Sequence, residues 1–274
     1  MSGVAVRKCC LTIAGSDSGG NAGMQADLRV FHDYGLHGCT VVTALTAQNP
    51  FRVSAVHQLP AEFVAAELDA VLGVYSIAAL KTGMMAGAES IAAVADRLSS
   101  RPEIAKVVDP VMIATSGAKL VDDDSIEAVR RLLLPMATIA TPNIPEAEAL
   151  CGVSPGDGSA GHAAELARRM YGLYGCRTLV KGGHAGGSEA VDVLFDGEEA
   201  AEFAAPRIAN PASTHGTGCS LAAALAAELA LGADLKAAAA GAKRYVHGAI
   251  ASSYFVGENC GVLGSKTICG ENMI

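Results

Sequence analysis

The stretch Cys9–Tyr34, CCLTIAGSDSGGNAGMQADLRVFHDY, sets the pattern for the whole chain. Cys9 to Ala14 is an apolar run of strand length, Ala14 to Gly23 a glycine-rich turn, and about Met24 to Tyr34 an amphipathic helix. The alternation continues downstream. Strands are expected over Cys39–Leu45, Ile77–Lys81, Lys106–Asp109, Thr138–Thr141 and Thr178–Lys181. Helices are expected over Pro60–Leu72, Ser90–Leu98, Ser125–Leu134 (stopped by Pro135) and Ala163–Tyr171. Ala190–Phe195 and Ala200–Pro206 read as a hairpin turning through Asp196-Gly197, and Gly218–Leu231 and Leu235–Ser252 as two alanine-rich helices. Such alternation predicts an α/β fold with a mainly parallel central sheet covered by helices on both faces. No linker, repeat or charge block divides the 274 residues, so one domain is expected, with 257–274 as a peripheral tail without periodicity.

Composition narrows the function. The chain is 51% hydrophobic and 18% charged, which excludes intrinsic disorder. No apolar run approaches the ~18–20 residues of a spanning helix, and Leu221 to Gly232 is interrupted by Glu228. Met1 to Lys8 lacks the layout of a signal peptide, so no membrane partner and a cytoplasmic location are expected. A net charge of −8 argues against a nucleic-acid partner. The eight cysteines contain no C-x-x-C pair, which gives neither a zinc site nor a disulfide framework support.

In open parallel sheets ligands bind beyond the carboxyl ends of the strands. Here those ends carry Gln48-Asn49, Lys81-Thr82-Gly83-Met84, Asp109-Pro110-Val111, Asn143 with Glu146, and Lys181-Gly182-Gly183-His184. Turn propensity accounts for the Gly, Pro, Asn and Asp among them, but not for two lysines and a glutamine at one level. Thr214-His215-Gly216-Thr217-Gly218-Cys219 precedes an alanine-rich helix, and its glycines let successive amides converge on a phosphate or oxyanion. The alternative is an ordinary loop with Thr217 or Ser220 as helix N-cap. A P-loop and the dinucleotide G-x-G-x-x-G are both absent, which sets an oxidoreductase aside.

Taken in order, AGSDSGGNAGMQADL, TALTAQN, LKTGMM, VVDPVM, TPNIPEAE, LVKGGH and THGTGC resemble the hydroxymethylpyrimidine/phosphomethylpyrimidine kinases of thiamin biosynthesis, members of the ribokinase-like superfamily. The likeness runs from about Leu11 to Ile250. It implies a three-layer α/β/α ribokinase-like fold, ATP and Mg²⁺ as cofactors, a small pyrimidine substrate, and a homodimer. The implied reaction is stepwise phosphorylation of 4-amino-5-hydroxymethyl-2-methylpyrimidine to its diphosphate. Departures from the family are Asn21, where Gly is common, Pro50-Phe51 after Asn49, and the tail Cys269–Ile274.

The resemblance assigns roles by position. Gly216, Thr217, Gly218 and Cys219 would form the anion hole, with Cys219 also the base, its thiol pKa lowered by a helix N-terminus. Asp109, Asn143 and Glu146 would hold Mg²⁺, largely through water. Lys181, Thr214 and Lys243 would bind ATP, although Lys243 also reads as an exposed surface lysine. Gln48 offers a donor and an acceptor on one planar amide, which suits an aminopyrimidine edge. Gly15 would allow close backbone approach, Met84 and Val111 would wall the ring, and Asp27 would bind substrate or favour the helix dipole. A pyridoxal kinase of the same superfamily and a non-catalytic pyrimidine-binding protein are the competing readings.

Overall fold

The computed structural model describes residues 6–112, 121–183 and 186–265. The chain runs β1 (Cys9–Asp17), α1 (Gly23–Asp33), β2 (His37–Asn49), β3 (Arg52–Gln58), α2 (Ala61–Leu72), β4 (Ile77–Thr82), α3 (Ala88–Ser99), β5 (Ala105–Val108), α4 (Asp123–Ala128) and β6 (Ile139–Ala140). There follow α5 (Ile144–Cys151), α6 (Ala160–Tyr174), β7 (Thr178–Val180), β8 (Glu189–Phe195), β9 (Ala200–Pro206), α7 (Thr217–Leu231), α8 (Leu235–Ala251), β10 (Tyr254–Val256) and β11 (Cys260–Val262). One sheet has the order β3-β2-β1-β4-β5-β6-β7-β8-β9. The strands from β2 through β1, β4, β5 and β6 to β7 are parallel, while β3, β8 and β9 add antiparallel pairings at the edges.

Alternation along each strand divides the core into two layers, because successive side chains leave opposite faces of the sheet. Cys10, Ala79, Val107, Ile139, Leu179 and Leu194 face α1, α7 and α8. Leu11, Ile13, Leu80, Val108, Val180 and Val193 face α2, α3, α5 and α6. This is the three-layer α/β/α arrangement expected. Helix α7 is buried on nearly every side, with Leu221 through Ala227 all inside, so it is apolar all round rather than amphipathic. Its alanines let it lie close over β1, β4 and β5 and bring its N-terminus to the carboxyl ends of the strands.

Three local differences have physical causes. The helix expected over Ser125–Leu134 is α4, then a π-turn over Val129–Leu133, then a 3₁₀ turn over Leu134–Met136 that passes Pro135. Pro135 lacks an N–H but fits the first positions of a new turn. Strand β2 runs four residues beyond Leu45 and turns into β3, with the Asn49 side-chain oxygen accepting from the Phe51 and Arg52 amides. β10, just before the tail, pairs with β11 inside it as a hairpin, and Val262 and the following Leu263 are buried; residues 266–274 lie outside the described residues. Among the described residues no helix is long and apolar enough to cross a membrane.

Candidate active site

The carboxyl ends of the strands and the N-terminus of α7 enclose a cavity of about 450 Å³. Every residue singled out for a site lines it except Asp27. The cavity divides by chemistry into a pocket over β1 and β2, a central polar region, and an apolar slot against α8.

In the first pocket, Gly15, Gln48, Met84 and Val111 come together as expected. A Cβ on Gly15 would meet the Met84 methyl at 2.5 Å, so the absence of a side chain there lets the methionine close the wall. The one Thr46 hydroxyl proton has two acceptors in reach, the Ser16 carbonyl at 2.9 Å and Gln48 Oε1 at 3.2 Å, which sets the Gln48 amide beside the end of β1. The turn after β1 is held by Asp17, whose carboxylate accepts from the amides of Gly19, Asn21 and Ala22. Asp17 lines the cavity and was not singled out from sequence, although it stands in the quoted AGSDSGG run.

At the centre, Lys181 Nζ lies 2.7 Å from Asp109 Oδ1, which also accepts from the Thr141 hydroxyl at 3.1 Å. Burial lowers the affinity of Lys181 for its proton, but Asp109 and Glu146 outweigh it and hold the ammonium charged above its ordinary range. Asn143 and Glu146 form a reciprocal capping box at the start of α5: the Asn143 amide donates to Glu146 Oε2 and the Glu146 amide to Asn143 Oδ1, both at 2.8 Å. Glu146 is therefore not a solvated first-turn residue. It is buried, and burial pushes its carboxyl above the usual range.

The loop Thr214–Cys219 arrives with Gly216 at φ +86°, as the N-cap of α7 and without any side-chain cap. The N-cap role considered for Thr217 or Ser220 is thus excluded. The Thr217 amide reaches back to the Thr214 carbonyl at 3.4 Å, while Gly218 and Cys219 carry first-turn amides without intrahelical acceptors, and all three residues line the cavity. A Cβ on Gly216 would fall 2.0 Å from the Asn21 carbonyl, so this loop and the turn after β1 touch backbone to backbone. His215 adds a second approach between them, with Nε2 4.0 Å from Asp17 Oδ2. Cys219 is half-buried and lines the cavity. Its thiol is pushed above, not below, its ordinary value: burial dominates, Lys81 opposes it, and Asp27 and Asp109 add to it. A helix N-terminus does not by itself make this cysteine a thiolate.

Two expectations change with the geometry. Asp27 is fully buried beneath the cavity, accepting from Thr12 at 2.6 Å and paired with Lys81 at 2.9 Å, so it cannot touch a ligand. Lys243 is no exposed surface lysine: it lines the slot and pairs with Asp192 at 2.9 Å. Asp192 also accepts from the Gly182 amide. Its only trace in the sequence is an acidic residue inside the apolar run AVDVLF. Pro206, Ile208, Val246 and Ile250 supply the slot's apolar wall. His184, quoted beside Lys181, lies outside the described residues.

The comparisons with known proteins agree with this geometry. Residues 17–264 match the sequence profile described as phosphomethylpyrimidine kinase. A hydroxymethylpyrimidine/phosphomethylpyrimidine kinase of Rhizobium meliloti is 46% identical over 248 residues, covering 89% of this chain and 90% of its own. A thiamine biosynthesis bifunctional protein of Geobacter sulfurreducens is 46% identical over 244 residues, which is 89% of this chain but 49% of that longer one. The fold of a Bacillus subtilis pyridoxal kinase, solved as an ADP complex, superposes with a TM-score of 0.87 at 32% identity, covering 96% of this chain and 99% of that one.

Proposed function

This chain belongs to the phosphomethylpyrimidine kinase family and is a phosphotransferase, and we propose that it transfers the terminal phosphoryl group of ATP first to 4-amino-5-hydroxymethyl-2-methylpyrimidine and then to the resulting monophosphate. The observation that carries the reading is the continuity of one cavity. It joins a pocket with a planar amide and apolar walls to an uncapped helix N-terminus flanked by Lys181.

Phosphoryl transfer asks the protein for alignment and neutralised charge rather than covalent work. The Gln48 NH₂ group donates to a ring nitrogen, and the second lone pair of its oxygen accepts from the 4-amino group. Met84 and Val111 hold the ring, which points the hydroxymethyl group at the start of α7. The amides of Gly216, Thr217, Gly218 and Cys219 receive the transferred phosphoryl oxygens. Lys181 and Lys243 neutralise the nucleotide phosphates, and Thr214 closes the same side. The thiolate form of Cys219, a minority because burial raises its thiol pKa, takes the hydroxyl proton as the substrate oxygen bonds to phosphorus and ADP leaves.

Mg²⁺ is the metal the family implies. Among the described residues no group of three or more His, Cys, Asp and Glu gathers as a protein-only metal cage. The donors present, Asp109 and Glu146, suit a cation bound by one or two carboxylates, phosphates and water. The Asn143 oxygen accepts from the Glu146 amide and keeps a second lone pair, so Asn143 fixes Glu146 and would reach the ion through water. Bound with nucleotide, the ion supplies charge neutralisation on the phosphates.

Incubation with MgATP and the hydroxymethylpyrimidine, with pyridoxal in parallel, tests the proposal when products are resolved by mass. Sequential mono- and diphosphate from the pyrimidine support it. Phosphate on pyridoxal alone moves the chain to the vitamin B6 reading, which the Bacillus subtilis likeness keeps in view. Binding of the pyrimidine without phosphorylation makes it a binding protein.

A further inference from the structure

Lys243 has a partner that no step above uses. Asp192 sits in the apolar run AVDVLF, and alternation along β8 puts it on the same face as Leu194, the face that α7 and α8 cover. A carboxylate among such neighbours costs free energy unless it is paired and hydrogen-bonded. Both oxygens of Asp192 are engaged: Oδ1 accepts from the Gly182 amide and Oδ2 from Lys243 Nζ, each at 2.9 Å. The Asp192 side chain is only 6% exposed and that of Lys243 13%, yet both residues line the cavity. A buried pair of this kind is a poor means of holding a fold together, because well-packed apolar residues of similar volume serve as well or better. Its place in the cavity is more telling.

The two bonds of Asp192 join parts that the chain sets apart. Lys243 comes from α8, 51 positions on, and Gly182 from the end of β7, ten positions back. That segment is held from two further sides. A Cβ on Gly182 would fall 1.9 Å from the Val191 carbonyl, so the glycine lies directly against β8, and the Gly183 carbonyl accepts from Arg207 Nη1 at 2.6 Å. Lys181 is the residue just before this bracketed pair of glycines. Asp192 thus fixes one of the two cavity lysines directly and the backbone beside the other. We propose that Asp192 is a positioning residue for the nucleotide phosphates, holding the Lys243 ammonium in place before they arrive. The inference rests on the kinase reading above and deepens it. One bond to Asp192 leaves the ammonium two more N–H donors for phosphate oxygens. A lysine without such a partner gives up its rotamer freedom only when the ligand orders it, and that loss is subtracted from the binding.

The test is a double-mutant cycle over Asp192→Asn and Lys243→Met, read as the affinity for ADP with Mg²⁺ by titration calorimetry. Asparagine keeps an oxygen for the Gly182 amide and replaces the charged acceptor of Lys243 by an NH₂ group. Asp192→Asn is expected to weaken ADP about tenfold, Lys243→Met at least as much, and the double variant no more than Lys243→Met alone. The double variant leaves no charge buried alone, so it also guards against misfolding. Were Asp192 only a counter-charge, Asp192→Asn would leave the cavity one unit more positive and tighten ADP. Were it only a support for the segment after β7, it would weaken ADP by the same factor with and without Lys243. Either result overturns the proposal. So does a loss of fold in Asp192→Asn that Lys243→Met restores, read by thermal unfolding, since the pair then serves stability alone. The wild type reads the kinase proposal separately: if it does not bind ADP, that reading falls and this one with it, whereas wild-type binding with an additive cycle removes Asp192 alone.

Discussion

Lys181 and Asp109 stand two strands apart in the sheet, yet their side chains meet at 2.7 Å across the mouth of β6. The pairing holds the lysine charged and extended toward the uncapped start of α7: a Cβ on Gly218 would lie 3.4 Å from Lys181 Nζ. In the proposed complex this ammonium would lie beside the terminal phosphate. Because both phosphorylation steps use the same nucleotide, Lys181→Met is expected to lower kcat/KM for both by a similar factor, about 10²–10³. Steady-state kinetics on the hydroxymethyl and the phosphomethyl substrate check this. A loss confined to one step would tie Lys181 to the acceptor instead of to ATP.

In the proposed mechanism Cys219 divides the steps differently. An alcohol needs its proton removed, whereas a phosphate monoester with a second pKa of about 6 is already ionised at neutral pH. Cys219→Ala is expected to slow the first phosphorylation by about 10²–10⁴ and the second by far less. Separate assays with each acceptor measure the ratio, and equal losses would remove the cysteine from proton transfer.

Two glycines make a contrast between backbone and side-chain constraint. At Gly216 an alanine would hold φ +86° and press its Cβ on the Asn21 carbonyl, backbone against backbone. Left-handed strain alone costs about 1–2 kcal/mol, so Gly216→Ala should lose several degrees of Tm as well as activity. At Gly15 the clash is with the flexible tip of Met84, which can swing into the pyrimidine pocket. Gly15→Ala should therefore leave Tm nearly unchanged while raising the KM for the pyrimidine about tenfold, with the KM for ATP little altered.

What the sequence disclosed, and what it withheld, follows from range. The β1–turn–α1 alternation is local, and it carries the parallel sheet with it. The residues at strand ends were legible because topology sends all such ends to one crevice. Strand β3 was not: RVSAVHQ is exposed along nearly its whole length, so no alternation marks it. Helix α5 has eight residues, too few for a periodicity, although Asn143 followed three places on by Glu146 is a capping signature. Asp27 misled because its partner is 54 positions away and is set beside it by the β1–β4 register. Nothing local announces such a pair, nor the burial that raises the Cys219 thiol above its ordinary value.

His215 gives the chain an acid limb. Neither ring nitrogen has a hydrogen-bond partner among the described residues, and burial holds the imidazole below its ordinary pKa, with Asp17 opposing. The folded state therefore binds this proton less readily than the unfolded chain, whose histidine titrates near 6.5. The contribution to stability is full above that pH and falls as pH drops from there toward the folded value. His215→Asn should flatten the loss of unfolding free energy between about pH 7.5 and 5.5, as read by urea titration at each pH. An unchanged slope would mean that the imidazole is already satisfied in solution.

Glu146 places function against stability. Burial raises its carboxyl pKa, so the penalty for keeping it ionised grows as pH rises through that value. Glu146→Gln removes the charge but retains an oxygen to accept from the Asn143 amide, which preserves the capping box. The variant should equal or exceed the wild type in Tm, with its advantage larger at pH 8 than at pH 5. Meanwhile the Mg²⁺ concentration for half-maximal rate should rise about tenfold or more, since one of two carboxylate donors is gone. Thermal unfolding at both pH values and a Mg²⁺ titration of the rate separate these effects. If the Tm instead falls by a similar amount at both pH values, as the loss of about 1 kcal/mol of cap would produce, the carboxylate is held for the helix; if it rises while the Mg²⁺ requirement grows, the buried charge is kept at the fold's expense for the phosphates it must help to bind.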